Sequence, residues 1–265
     1  MSKRRELSIA LSIAGSDSGG GAGVQADLKT FAALGVHGVC AITCLTAQNP
    51  RGVRGIQASS PLMLRKQIEA VFEELPPAAC KTGMLFSSPL IGVVAEFFRA
   101  RRAPPLVVDP VMIATSGARL LQSAAVKRLQ RELLPLAALV TPNREEAELL
   151  TGLSVRDEEG LRAAARVLHG RFGCAALVKG GHLRGAREAV DVFFDGRTEL
   201  MLSAPFVRGV STHGTGCTYS AAITAWLARG ESLVKAVTAA KEFITQAIAQ
   251  SVKAGGHDVL NPFWC

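Results

Sequence analysis

A chain of 265 residues and 27.9 kDa, 48% hydrophobic and 20% charged, can bury a large core and shows no break in composition, so a single domain over 1–265 is expected. The formal charge of +8 raises nucleic acid as a partner, but Lys and Arg are scattered and the aromatics, at 5%, are not interleaved with them; a basic surface suited to small anions is the better reading. No apolar run reaches the roughly 18 residues of a membrane span, and six cysteines without a C-x-x-C pair or a zinc spacing read, Cys217 excepted, as reduced thiols of a cytoplasmic protein.

In chain order, Lys3-Arg4-Arg5 precedes an alternating apolar stretch at 7–14. Glu6 interrupts the basic run and no small-residue cleavage site is obvious, so the stretch reads as a first β-strand rather than a leader. Val24, Leu28, Phe31 and Leu34 then share one helical face before Gly35. Further strands are expected at 39–45, 79–82, 106–109, 139–141 and 175–179, with helices near 62–74, 88–101, 123–134, 144–151 and 158–170. Residues 190–194 and 199–202 flank Asp195-Gly196-Arg197-Thr198 as a hairpin, and helices near 215–229 and 232–253 close the chain. Strands alternating with helices at this spacing predict an α/β fold, its mostly parallel sheet covered on both faces, with ligands at the carboxyl ends of the strands.

The chemistry-bearing residues cluster at those ends. Gly15-Ser16-Asp17-Ser18-Gly19-Gly20-Gly21-Ala22-Gly23 has the glycine density of a phosphate loop, but neither a Walker A ending nor G-x-G-x-x-G spacing. Asp27 falls on the apolar arc of the following helix, where an unpaired carboxylate costs several kcal/mol; it meets either a Lys or Arg partner or a ligand. Gln48 carries a primary amide able to pair with an amino group and the adjacent ring nitrogen of a heterocycle, and Met84 offers a soft wall for a flat ring. Asp109 ends a strand, and Asn143 precedes Glu146 by three residues; strand-end carboxylates suit hydrated Mg²⁺ on nucleotide phosphates, while the Asn–Glu spacing also suits a helix cap. Lys179-Gly180-Gly181-His182 places a cation and a turn beside phosphate oxygens. In Thr212-His213-Gly214-Thr215-Gly216-Cys217, two glycines open an apolar helix whose first N–H groups suit an anion, and Cys217 falls in the first turn, where a thiol pKa tends to be lowered towards 7.

Taken together, residues 14–29, Thr46-Ala47-Gln48-Asn49, Lys81-Thr82-Gly83-Met84, Asp109-Pro110-Val111-Met112, Thr141-Pro142-Asn143, 178–182 and 213–217 resemble the bacterial hydroxymethylpyrimidine/phosphomethylpyrimidine kinases of thiamine synthesis, in the ribokinase-like superfamily. The resemblance spans nearly the whole chain in order. It implies a three-layer α/β/α fold, ATP as donor, Mg²⁺ as cofactor and a homodimer. It also implies two successive phosphorylations, of 4-amino-5-hydroxymethyl-2-methylpyrimidine and then of its monophosphate. By motif, Gln48 and Asp27 would hold the aminopyrimidine, with Gly15, Met84 and Val111 lining its pocket. Asp109 and Glu146 would act around the metal, Lys179 and Asn143 would face the nucleotide, and Gly214, Thr215, Gly216 and Cys217 would form the catalytic anion hole. A pyridoxal kinase of the same superfamily and a non-catalytic pyrimidine sensor are the alternatives.

Overall fold

A computed structural model describes residues 6–112, 121, 123–181, 183, 188–210 and 213–264. Nine strands form one sheet: β1 (Ile9–Asp17), β2 (His37–Asn49), β3 (Gly52–Ala58), β4 (Ala79–Thr82), β5 (Leu106–Val108), β6 (Leu139–Val140), β7 (Ala175–Lys179), β8 (Glu188–Phe194) and β9 (Glu199–Pro205). Their order is β3-β2-β1-β4-β5-β6-β7-β8-β9. From β2 across to β7 every pairing is parallel, while β3, β8 and β9 join antiparallel at the two edges. The chain winds outward from β1 to β3, then crosses back to place β4 on the other side of β1. The order of winding therefore reverses between β1 and β4, and a crevice opens at their carboxyl ends.

Helices cover both faces. On one side lie α2 (Pro61–Glu74), α3 (Ser88–Arg99), α4 (Ser123–Arg128), α5 (Arg144–Thr151) and α6 (Glu158–Phe172); on the other lie α1 (Gly23–Ala33), α7 (Thr215–Ala228) and α8 (Leu233–Ala249). Because strand side chains alternate, each central strand feeds both layers. In β5, Leu106 and Val108 point to the α2–α6 layer and Val107 to the α7–α8 layer; in β7, Ala176 and Val178 point one way and Ala175 and Leu177 the other. Such strands read as continuous apolar runs, which is why the sequence exposes them. Helix α7 is buried from Thr218 through Ala225, making it a core helix whose N-terminus alone reaches the crevice.

The same alternation places the polar exceptions. Ser12, Lys81, Asp109 and Lys179 fall two residues after Ala10, Ala79, Val107 and Leu177, all of which face α1, α7 and α8. Four polar side chains thus line up under α7.

The structure departs from the sequence reading at the edges. Strand β3 is absent from that reading because its residues are almost all exposed and present no apolar period. Strand β2 continues past residue 45 to Asn49 to pair with β3, and β1 continues through Gly15 to Asp17 by way of an irregularity in its register. The helix expected at 123–134 ends as a π turn at Leu129–Leu133 followed by a 3₁₀ turn into Pro135. Beyond α8, a short hairpin, β10 (Val252–Ala254) and β11 (His257–Val259), turns at Gly255-Gly256; at three residues a strand, no periodicity announces it.

Candidate active site

The floor of the crevice is backbone and sulfur. At Gly15 a Cβ would lie 2.9 Å from Cys44 Sγ and 3.8 Å from Met84 Sδ, so these groups crowd the β1 bulge. Thr43 Oγ1 donates to the Met84 carbonyl at 2.6 Å, holding the turn after β4 against β2. Gln48 stands past the irregularity between Ala47 and Gln48, half-buried, where its amide oxygen accepts from Thr46 Oγ1 at 3.2 Å. Its amide nitrogen lies 3.4 Å from His213 Nε2, which in turn lies 3.4 Å from Asp17 Oδ2. The Asp17 carboxylate shapes the glycine-rich loop, accepting from the N–H groups of Gly19, Gly21 and Ala22 at 2.8, 3.1 and 2.9 Å. Burial raises its pKa, but hydrogen bonds from His213 and the loop amides outweigh burial and hold it below the usual carboxylate range. Opposite, Val111 takes φ +43, a strained conformation for a β-branched residue, costing about 1–3 kcal/mol.

Beneath α7 runs a buried polar seam. Asp27 receives Lys81 Nζ at 2.7 Å and Ser12 Oγ at 2.6 Å, and the Asp27 and Lys81 side chains are fully enclosed. Burial alone would discharge the lysine, but attraction to Asp27 first, and to Asp109, raises its pKa, so it remains an ammonium. Further along, Lys179 Nζ lies 3.2 Å from Asp109 Oδ1, which also takes Thr141 Oγ1 at 3.3 Å; Ser220 Oγ on α7 meets Asp109 Oδ2 at 3.3 Å. Burial works against the charge of Lys179 too, and the neighbouring Asp109 and Glu146 restore it.

Over this seam sits the start of α7. Gly214 precedes the helix at φ +83, and a Cβ there would lie 1.8 Å from the Gly21 carbonyl oxygen, so the helix entry and the glycine-rich loop touch backbone to backbone. At Gly216 a Cβ would lie 3.3 Å from Lys179 Nζ and 3.7 Å from Asp109 Oδ2. A helix N-terminus, an ammonium and a carboxylate therefore converge on one small volume, an arrangement suited to phosphoryl oxygens.

Three expectations need correcting. Asp27 does not offer its carboxylate to a ring: it is enclosed, and Lys81 is the partner that the sequence reading left unnamed. Glu146 is not an open metal ligand, because one oxygen accepts from Met112 N–H at 2.9 Å and the other from Asn143 N–H at 3.0 Å. Asn143 returns a bond to Glu146 N–H at 2.9 Å, so the two form a capping box on α5, and Glu146 also steadies the strained turn at Val111. Burial, reinforced by Asp109, pushes the Glu146 pKa up to about 7. Nor is the Cys217 thiol lowered: burial, with Asp27 and Asp109, pushes it up to about 11 against the opposing pull of Lys81 and the Gly23 N–H. The desolvation there exceeds the stabilisation from the helix N-terminus.

No group of three or more His, Cys, Asp or Glu could hold a metal among the described residues. Asp109, whose carboxylate lies beside Lys179 and the start of α7, is a residue that could hold a divalent cation together with substrate phosphates. The sequence reading missed Lys81, Ser220 and the roles of Asp17 and His213. A lysine inside a four-residue buried strand was a signal for the first. His182 and Thr212 lie outside the described residues.

A layered sheet with its crevice at the β1/β4 reversal and a glycine-entered helix pointing at Asp109 and Lys179 defines a small-molecule kinase of the ribokinase-like class. The phosphomethylpyrimidine kinase family model matches residues 17–261. A hydroxymethylpyrimidine/phosphomethylpyrimidine kinase of Rhizobium meliloti is 52% identical over 242 residues, 91% of this chain and 90% of that one. The thiamine biosynthesis bifunctional protein of Geobacter sulfurreducens is 48% identical over 95% of this chain, which spans about half of it, 51%. Among solved structures, the phosphomethylpyrimidine kinase of Clostridium difficile 630 superposes with a TM-score of 0.81 at 41% identity, covering 91% of this chain and 99% of that one. The pyridoxal kinase of Staphylococcus aureus in complex with AMP-PCP and pyridoxal superposes at 0.89 with 33% identity, covering 98% and 94%. The chain belongs to the phosphomethylpyrimidine kinase family.

Proposed function

We propose that this protein transfers the γ-phosphoryl group of ATP first to the hydroxymethyl oxygen of 4-amino-5-hydroxymethyl-2-methylpyrimidine and then to the resulting monophosphate, supplying the diphosphate for thiamine biosynthesis. The observation that carries this reading is the convergence of the α7 N-terminus with Lys179 and Asp109, close to the amide of Gln48 across the crevice through His213. Gln48 reads the amino group and neighbouring nitrogen of the ring, and Gly15, Met84 and Val111 wall it. Lys179, with the amide of Asn143, takes the nucleotide, and the N–H groups of residues 215 to 217 receive the transferring phosphoryl group. As the new P–O bond forms, the bond to ADP breaks and the hydroxyl proton passes to Cys217 Sγ in its thiolate form, which becomes the thiol. With a thiol pKa near 11, only the small thiolate fraction can accept that proton at neutral pH, so transfer to the hydroxyl follows that fraction as pH rises. Asp109 would hold Mg²⁺, which would supply charge neutralisation to the nucleotide phosphates. Asp27 acts through Lys81, whose ammonium lies under the same site.

Free thiols at all five described cysteines suit a reducing compartment, and we place the protein in the cytoplasm as a homodimer. Exposed Leu45, Val53, Ile56, Leu62 and Met63, on β2, β3 and the start of α2, are the apolar surface for a second copy, which light scattering at known concentration tests. Pyridoxal is the competing substrate, given the likeness to the S. aureus enzyme. ADP release with Mg²⁺ and each compound in turn decides between them, and no release with either would leave a binding protein. In Gln48→Ala, kcat/KM for the aminopyrimidine should fall roughly 5- to 150-fold with the melting temperature unchanged, because the ring edge loses its partner. An unchanged kcat/KM would remove Gln48 from the ring site.

A further inference from the structure

Strand β8 brings a second buried ion pair next to the first. In the β7–β8 ladder Lys179 stands directly opposite Asp191, so both side chains lie on the α7–α8 face. At that spacing, roughly 5 Å between Cβ atoms, a buried carboxylate is the natural partner of a buried ammonium. Yet Lys179 turns to Asp109 at 3.2 Å, and Asp191 is instead met by Lys241 of α8 at 2.8 Å. Lys241 also donates to the Ala189 carbonyl at 2.9 Å, and the Asp191 and Lys241 side chains are 6% and 10% exposed. The other oxygen of Asp191, Oδ1, accepts the Gly180 N–H at 3.1 Å, sharing it with the Val190 carbonyl at 3.0 Å. A Cβ at Gly180 would lie 2.2 Å from that carbonyl, so the turn after Lys179 is clamped to β8 through backbone contact. Tyr219 of α7 is buried nearby, its hydroxyl near Asp191 but outside hydrogen-bond geometry; burial first and the carboxylate second push this phenol well above its usual range.

Replacing a buried ion pair by apolar residues of similar volume is often neutral or stabilising, so stability alone does not account for this one. We propose that Lys241 is a positioning residue for phosphoryl transfer: by neutralising Asp191 it keeps that carboxylate from capturing Lys179, leaving the Lys179 ammonium beside Asp109 and the α7 N-terminus for the nucleotide phosphates. This rests on the assignment of Lys179 to the nucleotide. Without the Lys241 charge, Asp191 becomes an uncompensated buried anion one strand away from Lys179, and the ammonium swings towards it. Removing both charges abolishes the competition.

The test is a charge rescue read in Michaelis constants. Lys241→Met should raise the nucleotide KM about tenfold or more while the pyrimidine KM stays within about twofold. The double variant Lys241→Met/Asp191→Asn should return the nucleotide KM to within about threefold of wild type. Should Lys241→Met not fold by circular dichroism, Lys241→Gln, which retains a donor but no charge, takes its place with the same expectation. A folded Lys241 variant with wild-type nucleotide KM overturns the proposal, as does a double variant no better than the single one. A purely packing role would lower the melting temperature or the active fraction and leave both KM values alone. Lys179→Met serves as the control. If its nucleotide KM is unchanged, the assignment of Lys179 is at fault; if that KM rises and the Lys241 variants do not respond, this inference is.

Discussion

Gly216→Ala separates the stability of α7 from its use as an anion site. Gly216 lies in the first turn of the helix, and no positive φ demands glycine there. Alanine should therefore favour the helix, by about 0.5–1 kcal/mol. For a chain of this length that corresponds to a rise of about 1–4 °C in melting temperature. The new methyl would lie 3.3 Å from Lys179 Nζ, close enough to move a flexible side-chain end by a few tenths of an ångström, and 3.7 Å from Asp109 Oδ2, an ordinary contact. The fold should thus tolerate the change. Chemistry should not, because the methyl occupies the space where a phosphoryl oxygen would sit between the helix N–H groups and the ammonium. Losing one such donor in comparable sites costs about 10²–10³ in kcat, and a fall of at least about 100-fold is expected here. Circular dichroism melting and ADP release at saturating ATP and pyrimidine read the two quantities on one preparation. An alanine variant with wild-type kcat would mean that the phosphoryl group passes elsewhere; parallel losses of melting temperature and rate would make Gly216 a packing residue.

Wild-type kcat should rise between pH 7 and 9, because a Cys217 thiol near pKa 11 gains thiolate tenfold per pH unit over that range. Cys217→Ala should fall about 10²-fold or more at pH 9 with a flat profile, and equal pH slopes in the two proteins would exclude a base role. For Glu146 the folded pKa, about 7, lies above its ordinary 4.5, so the folded state holds its proton more tightly. Its contribution to stability is fully present below pH 4.5 and is lost as pH rises through 7. Glu146→Gln should therefore gain roughly 2–3 kcal/mol relative to wild type between pH 5 and pH 8, measured by urea unfolding without nucleotide or Mg²⁺; a pH-independent difference would contradict the buried, protonated carboxyl. Asp27→Asn strands the Lys81 ammonium and should cost about 3–5 kcal/mol, on the order of 10 °C in melting temperature. Adding Lys81→Met should recover most of that, and failure to recover would mean that Asp27 carries stability by other means.

What the amino-acid order determines by itself is whatever depends on near neighbours along the chain. The parallel strands at 106–109 and 175–179 are legible because both faces are buried, which forces the apolar runs Leu106–Val108 and Ala175–Val178 between turn residues. The Asn143–Glu146 cap and the glycine entry to α7 are legible because capping acts over three or four residues. Motif order along the chain was enough to point to the family, and the positions it marked, Gln48, Asp109, Lys179 and Gly216, do come to one end of the sheet. Tertiary structure alone decided who pairs with whom. Asp27 and Lys81 are 54 residues apart, Lys179 and Asp109 70, and Lys241 and Asp191 50, and no local spacing encodes such partners. The edge strand β3 stayed hidden because it makes its backbone bonds to β2 while exposing its side chains, so it leaves no hydrophobic signature. The protonation of Cys217 and Glu146 was likewise beyond the sequence. A helix N-terminus can be read from glycines and a first turn, but desolvation depends on how many layers close over a group, and that is set only when α7 comes to rest on the sheet.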